Sequence, residues 1–244
     1  MLVLLPPSET KLDGGDGPPL RLEGLSHPEL TPLRAQLVDE LVKLSGDLDA
    51  ARAALGLSAN QDGEVARNAQ LWSSPTTAAL NRYTGVLYDA LDVRSLRGAA
   101  VVRARQRLAV GSALFGLLTA DDAVPAYRLS AASTLPGRGT LAATWRPFLA
   151  PVLAALAERE LVVDLRSGSY AAMAKVPGAV TVTVLTAERR IVSHFNKAHK
   201  GTLARLLASS RAEPSDAAAV AGIARRAGMR VERRGTALEI ILPA

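Results

Sequence analysis

The 244-residue sequence contains no cysteine, and this absence excludes several kinds of chemistry. Disulfide bonds, thiolate zinc sites, cysteine-held iron–sulfur clusters and cysteine nucleophiles are all ruled out. Histidine is also scarce: there are three, and two of them, His194 and His199, are five residues apart. That spacing misses the i, i+4 arrangement that puts two ligands on one helix face. We therefore expect no dedicated iron or zinc site and no other cofactor.

Long hydrophobic runs are missing as well. No segment approaches the length that a membrane-spanning helix requires. The apolar start, Met1–Leu5, is stopped by Pro6 and Pro7 and has no preceding positive charge, which predicts a first strand and not a signal peptide. Apolar residues make up 48% of the chain and charged residues 21%, which excludes wholesale disorder. We expect a cytoplasmic protein.

Acidic residues are few in one part of the chain. Residues 189–234 contain eleven Lys or Arg against three Asp or Glu, a local balance that exceeds the net charge of +6 for the whole sequence. The isoelectric point is about 10.0. An asymmetry of this size indicates an anionic partner, such as nucleic acid or a phosphate compound.

Hydrophobic periodicity predicts one α/β domain over residues 1–244, with a central mixed sheet flanked by helices. We expect a monomer, because no long apolar face demands a partner. Strands are predicted at 3–5, 127–130 and 161–165, with hairpins over 180–193 and 231–242. Helices are predicted at 31–44, 75–82, 94–107, 141–156, 196–208 and 214–227, together with a helical turn at 114–118.

Seven segments, in order along the chain, resemble the YaaA family of peroxide-stress proteins. The similarity runs nearly end to end. The segments are 6–11 (PPSETK), 82–88 (RYTGVLY), 112–118 (SALFGLL), 125–129 (PAYRL), Trp145, 164–170 (DLRSGSY) and 193–201 (SHFNKAHKG).

The resemblance implies a cytosolic protein that helps cells survive hydrogen peroxide. It also implies a mixed α/β fold that binds DNA through a positively charged cleft, and a link to low free intracellular iron. A helix-hairpin-helix element is implied within roughly residues 44–71. This sequence departs from the family pattern in two places. Residues 56–63 lack the tight apolar-Gly-x-Gly hairpin, and Lys11 follows Thr10, whereas another branch places its lysine before the threonine.

The segment 193–201 is the first candidate anion site. Lys197 and Lys200 are three apart on a helix face, near a helix start whose unpaired N–H groups favour anions. Gly201 would let a phosphate or another backbone approach closely, and Arg205 would extend the patch. His199 falls on the opposite, apolar face. The alternative is an ordinary solvated basic face.

Polar residues after the predicted strands form a second set of candidates. Ser8 and Lys11 follow the first strand, where open α/β sheets often bind ligands, although an ordinary polar turn is equally consistent. Arg128 must find an anion or reach solvent, because burying it unpaired is prohibitive. Asp164 could act as a base, or could pair with Arg128, Lys197 or Lys200. Tyr170, like Tyr83 and Tyr88, could stack on a base or lie in the core.

Two hypotheses follow. In the first, the protein has no catalytic activity and binds intact or distorted duplex DNA with low sequence specificity. Its phosphate contacts would be Lys11, Arg128, Lys197, Lys200 and Arg205. In the alternative, the protein is an enzyme acting on a small anionic, nucleotide-like substrate. Its pocket would then unite the residues Ser8, Lys11, Arg128, Asp164, Lys197 and Lys200.

Overall fold

The central sheet is built from short strands with apolar sequences. The computed structural model describes residues 1–191 and 196–243, and all the elements below lie within those ranges. The strands are β1 (Leu2–Leu5), β2 (Gly17–Pro19), β3 (Pro75–Ala78), β4 (Leu108–Ser112), β5 (Gly116–Thr119), β6 (Ala123–Val124), β7 (Val162–Asp164), β8 (Val180–Leu185), β9 (Val231–Arg234) and β10 (Ala237–Ile241).

Several helices begin at side chains that cap them. Asp47, Thr140 and Asp216 each accept a hydrogen bond from the backbone N–H three residues further on. The helices are α1 (Thr31–Leu44), α2 (Leu48–Leu55), α3 (Asp62–Ala69), α4 (Ala79–Arg82), α5 (Val86–Leu91), α6 (Ala99–Arg107), α7 (Leu141–Arg159), α8 (Gly168–Ala171), α9 (Asn196–Ser209) and α10 (Ala217–Arg226).

The main sheet has the strand order β5-β4-β1-β7-β8-β10-β9. The five central strands, β4, β1, β7, β8 and β10, are parallel, and an antiparallel strand flanks them on each side. Parallel strands covered on both faces are expected to be apolar throughout, and β1 and β4 are buried along their whole length. The parallel arrangement brings the carboxyl ends of β4, β1 and β7 to one edge of the sheet. A small sheet of β2, β3 and β6 lies apart from the main one.

One hydrophobic core joins these elements. Trp145 of α7 is fully buried in it, and its indole N–H donates to the carbonyl oxygen of Ala113. The Trp145 ring lies directly over Gly116, where a Cβ atom would come within 2.6 Å of it. Gly116 also has a φ of +75°, a conformation that favours glycine, so both requirements select glycine here.

The predicted α/β fold with a central mixed sheet is confirmed, and several local predictions are wrong. Residues 116–119 form β5 and not a helical turn, and the first half of the predicted helix at 75–82 is β3. Residues 127–130 lie outside any strand. The hairpin predicted at 180–193 is formed as far as β8 and a bridge from Leu185 to Ile191. Its last residues, 192 and 193, lie outside the described ranges.

Candidate functional site

The loop after β1 is fastened to the segment that follows α4. Lys11 forms an antiparallel bridge with Tyr83, and the hydroxyl of Ser8 accepts a hydrogen bond from the backbone N–H of Thr84 at 3.2 Å. The hydroxyl groups of Thr10 and Thr84 are 3.1 Å apart. These bonds fix the course of the loop, and they give Ser8 a positioning role in it.

Lys11 points its ammonium group at aromatic rings. Its Nζ atom is 4.2 Å from the ring centre of Tyr127 and 5.5 Å from that of Tyr83. The same atom donates to the backbone carbonyl oxygens of Ser8 at 2.9 Å and of Glu9 at 3.4 Å. Burial lowers the pKa of Lys11 to about 7, against the opposing pull of the Glu9 carboxylate. About half of the Lys11 side chains therefore carry a neutral amine near neutral pH.

All four tyrosines of the chain are buried. The Tyr127 hydroxyl lies 2.9 Å from that of Tyr83 and 2.7 Å from the hydroxyl of Ser112 at the end of β4. The Tyr88 ring stacks on Tyr83, and its hydroxyl donates to the carbonyl oxygen of Pro6. Burial raises the pKa of Tyr83 to about 12 and raises the pKa of Tyr88, Tyr127 and Tyr170 as well. These hydroxyls stay neutral, so they provide proton donors and no negative charge.

Arg128 is held by groups from two other parts of the chain. Its guanidinium forms an ion pair with the carboxylate of Glu9 at 2.9 Å. The buried amide of Asn68, on α3, both accepts from the backbone N–H of Arg128 and donates to its carbonyl oxygen, each at 2.8 Å. The Asn68 amide therefore satisfies backbone groups that a neighbouring strand would satisfy in a sheet. This is why residues 127–130 do not form the predicted strand.

A cleft of about 310 Å³ opens beside this ion pair. Glu9 and Arg128 form part of its wall, the end of α2 with Gly56 forms another part, and residues 130–134 complete it. Gly56 ends α2 in the left-handed conformation with φ +64°, and a short turn then leads into α3. Residues 48–69 thus form a pair of helices, α2 and α3, and the end of α2 borders the cleft.

Asp164 lies at the end of β7 in an enclosed ion pair. Its two carboxylate oxygens accept hydrogen bonds from the guanidinium of Arg166 at 2.9 and 2.8 Å. Both side chains are buried. Arg166 also donates to the backbone carbonyl oxygens of Tyr170 and Ala174, which fixes the loop after β7. Asp164 thus pairs with Arg166, and the prediction of Arg128, Lys197 or Lys200 as its ion-pair partner was wrong, because Arg128 pairs with Glu9 and Lys200 donates to a backbone carbonyl oxygen.

The two lysines at the start of α9 differ in burial and in hydrogen bonding. Lys197 is exposed, whereas Lys200 is buried and donates from Nζ to the carbonyl oxygen of Leu165 at 3.2 Å. Burial lowers the pKa of Lys200, and the Asp164 carboxylate opposes that shift. Residues 193–195 of the predicted anion site lie outside the described ranges.

Gly201 and Arg205 make contacts between α9 and α5. A Cβ atom on Gly201 would meet the carbonyl oxygen of Leu87 at 2.2 Å. Gly201 was predicted to allow close approach of either a phosphate or another backbone segment, and in the structure the group that approaches is the backbone of α5. Arg205 donates to the carbonyl oxygens of Leu91 and Asp92 at 2.9 and 2.6 Å. These bonds satisfy carbonyl groups at the end of α5.

The structure therefore divides the predicted site residues into three groups. Ser8, Lys11 and Arg128 lie together around the loop after β1. The Tyr170 hydroxyl, which accepts from the N–H of Ala131, lies near enough for the charges of Glu9 and Arg128 to act on its pKa. Asp164 and Lys200 form a neighbouring group after β7, while Lys197 and Arg205 lie elsewhere on α9.

Sequence reasoning missed several residues of this site. Arg166 had a usable signal, because it lies two residues after Asp164 in extended chain, and alternate residues of a strand face the same side. The sequence signal for Glu9 was weaker: Arg128 was expected to need an anionic partner, but nothing identified Glu9 as that partner. The roles of Asn68, Ser112 and Tyr127 depend on contacts between distant segments. No set of three or more His, Asp or Glu side chains suited to a metal ion occurs among residues 1–191 and 196–243.

The fold and site define an α/β protein with a basic and aromatic site at the carboxyl edge of a parallel sheet. The family model described as peroxide stress protein YaaA matches residues 1–231. A UPF0246 protein of Corynebacterium efficiens is 49% identical over 240 residues, covering 95% of each chain. A UPF0246 protein of Streptomyces coelicolor is 46% identical over 244 residues, covering 97% of this chain and 94% of the relative. The chain belongs to the YaaA family of peroxide stress proteins.

Among the described residues, no helix combines the length and the apolar character needed to span a bilayer.

Proposed function

We propose that this member of the family acts in the cytoplasm by binding DNA, mainly through contacts to the phosphate backbone. The binding depends little on base sequence and includes duplex that is bulged or otherwise distorted. The protein acts as a monomer. Lower free iron, which the resemblance implies, would then follow indirectly and not from iron held by this protein.

The observation that carries this proposal is the cleft that Arg128 lines together with the carboxyl end of α2. Arg128 is the group in this cleft that suits a phosphate, because a guanidinium is a strong phosphate ligand. The same cleft contains Glu9, which already pairs with Arg128. A phosphate would compete with this carboxylate for Arg128, so binding depends on displacing or sharing an existing ion pair.

Charge supports the proposal over longer distances. The excess of basic residues in 189–234 gives this part of the protein a positive potential, which attracts a polyanion before any specific contact forms. Lys197 is exposed at the start of α9 and free to move towards a phosphate. Lys200 and Arg205 already donate hydrogen bonds within the protein, so we expect them to contribute less than Lys197.

Fluorescence anisotropy of labelled DNA tests the proposal. Intact duplex, bulged duplex and single strand would be titrated at several salt concentrations between about 50 and 200 mM, where affinity for a backbone binder falls steeply. We expect Arg128→Ala and Lys197→Ala each to weaken binding to all three DNAs. Each should also reduce the slope of log affinity against log salt by about one, because one phosphate contact is lost.

Lys43→Ala is the matched control, because Lys43 is exposed and lies at the far end of α1. It removes the same charge, so binding that falls equally in this variant would indicate general attraction only. Absence of binding at the lowest salt would reject the proposal. Survival of cells exposed to hydrogen peroxide, with each variant replacing the natural protein, then connects binding to the stress response.

A second candidate function is favoured by the environment of Lys11. Enzymes adjust the pKa of catalytic groups towards neutrality by burying them, and Lys11 is half-buried beside neutral hydroxyls. An enzyme acting on a small anionic, nucleotide-like substrate would use Lys11 in chemistry and Arg128 in binding. This second candidate would be favoured if a nucleotide bound the protein directly but displaced labelled DNA only weakly in a competition experiment.

A further inference from the structure

We propose that the Lys11 amine forms an imine with an aldehyde that carries a phosphate ester. On the proposed function, the carrier of this aldehyde is DNA, and the aldehyde is the ring-opened sugar of a position that has lost its base. A free sugar phosphate offers the same chemistry, and the experiment below separates the two sources.

The first argument is the set of groups around Nζ. The amine donates to the backbone carbonyl oxygens of Ser8 and Glu9, which are neutral acceptors. The Glu9 carboxylate forms its ion pair with Arg128 and not with Lys11. The neighbouring hydroxyls of Tyr83 and Tyr127 are also neutral, because burial raises the pKa of both. The Glu9 carboxylate, the nearest negative charge, is thus shared with Arg128. The Lys11 amine therefore holds its proton weakly.

This arrangement makes Lys11 a nucleophile under physiological conditions. Only the neutral amine attacks a carbonyl carbon, and at pH 7 an ordinary lysine is neutral in roughly one molecule in a few thousand. With a pKa of about 7, Lys11 is neutral in about half of the molecules. The Lys11 residue is partly exposed, and the aldehyde would approach its amine from the loop surface.

The aromatic rings favour the product. In imine formation the C=O bond of the aldehyde is replaced by a C=N bond, and the oxygen leaves as water with the two protons of the amine. No oxidant or reductant is consumed. The product is readily protonated to an iminium cation, and a cation over an aromatic face is stabilised. The Tyr127 ring, 4.2 Å from Nζ, is placed to provide this.

Arg128 supplies the preference for a phosphate ester. Its positive charge lies near enough to Lys11 to lower the lysine pKa. A substrate phosphate held by Arg128 would place an attached aldehyde beside the amine. In an abasic nucleotide the aldehyde and the phosphate are separated by a few bonds, which suits two neighbouring cationic groups.

Reductive trapping tests the proposal. The full-length protein would be incubated with sodium cyanoborohydride and one of three probes: duplex with a single abasic site, intact duplex, or 2-deoxyribose 5-phosphate. We expect a covalent adduct with the abasic duplex, which peptide mass spectrometry should locate at Lys11 among the five lysines of the chain. Lys11→Arg, which keeps the charge and removes the nucleophile, should lower the adduct yield by about tenfold or more.

Lys175→Arg is the control, because Lys175 is exposed and its replacement should leave the yield unchanged. Adducts spread over Lys43, Lys175 and Lys197 as heavily as over Lys11 would overturn the proposal. The pH profile of trapping adds a test that needs no variant: the rate should rise through a midpoint near pH 7, and a midpoint near pH 10 would contradict it.

Failure of this proposal and failure of the proposed function are distinguishable. Normal DNA binding by anisotropy, with no trapped adduct, would reject the imine and leave the DNA-binding proposal intact. An adduct at Lys11 with 2-deoxyribose 5-phosphate, together with no DNA binding, would support the imine and reject DNA as its carrier.

Discussion

The loop after β1 and the start of α9 both bring a lysine to the carboxyl edge of the sheet, but the two lysines have different surroundings. Lys200 is buried, donates to the backbone of Leu165 and has the Asp164 carboxylate nearby. Lys11 lies over tyrosine rings, and the nearest carboxylate is paired with Arg128. Basic residues that count alike in a sequence therefore differ in their surroundings: Lys200 has a carboxylate nearby, whereas the carboxylate nearest to Lys11 is engaged by Arg128.

The largest expected effect comes from breaking the ion pair beside Lys200. Asp164→Ala would leave Arg166 buried without its carboxylate, and removing one partner of a buried pair costs about 3–5 kcal/mol. We expect the free energy of unfolding, measured by urea denaturation, to fall by that amount.

Glu9→Ala provides the comparison in the other region. Its carboxylate is half exposed, and exposed ion pairs contribute about 0–1 kcal/mol. Equal losses of stability in the two variants would show that the two ion pairs do not differ as described.

A somewhat smaller effect is expected from Gly201→Ala. The new methyl group would meet the carbonyl oxygen of Leu87, so α9 and α5 must separate, and overpacking of this kind costs about 1–3 kcal/mol. Thermal unfolding should show a lower Tm than for Thr202→Ala, an exposed position on the same helix. If Gly201 instead served an anion, the variant would keep its Tm and lose DNA affinity.

The pH dependence of stability sharpens the difference between the two lysines. The pKa of Lys11 is about 7 in the folded protein and about 10.4 in an unfolded chain, so between these values the unfolded state binds more protons. The free energy of unfolding should therefore rise with pH over this window, by about 1–3 kcal/mol after allowance for partial exposure.

Lys11→Met removes this contribution. Urea denaturation between pH 7 and 10 should give a flatter profile for the variant than for the natural protein. Lys200 has a lowered pKa too and acts in the same direction, so some rise should persist in Lys11→Met. Identical profiles for the two proteins would mean that Lys11 keeps an ordinary pKa.

Much of the fold could be predicted because parallel strands that are buried on both faces have short, continuous apolar sequences, as in β1 and β7. The prediction of a helical turn at 114–118 was wrong, because an apolar run of that length is compatible with either a helix or a strand. The strand conformation at Gly116 depends on its contact with Trp145, which is almost thirty residues away in the sequence. Residues 127–130 have a strand-like sequence, but their backbone is satisfied by the Asn68 side chain.

The candidate site was predictable only in part, for a related reason. Strand ends pointed to Ser8, Lys11 and Asp164, because loops at the carboxyl edge of a parallel sheet meet in space. Which side chains pair there is not encoded locally: Glu9 reaches Arg128 across more than a hundred residues. The burial that lowers the pKa of Lys11 comes from Tyr83 and Tyr127, whose separate positions in the sequence give no sign of their convergence.

The amide of Asn68 links α3 to the loop that carries Lys11. It binds both backbone groups of Arg128 from α3. The Arg128 guanidinium in turn pairs with Glu9, whose backbone carbonyl oxygen accepts a hydrogen bond from Lys11. Three bonded links thus connect α3 with the amine, and a polymer that displaced Glu9 from Arg128 would break the second of them.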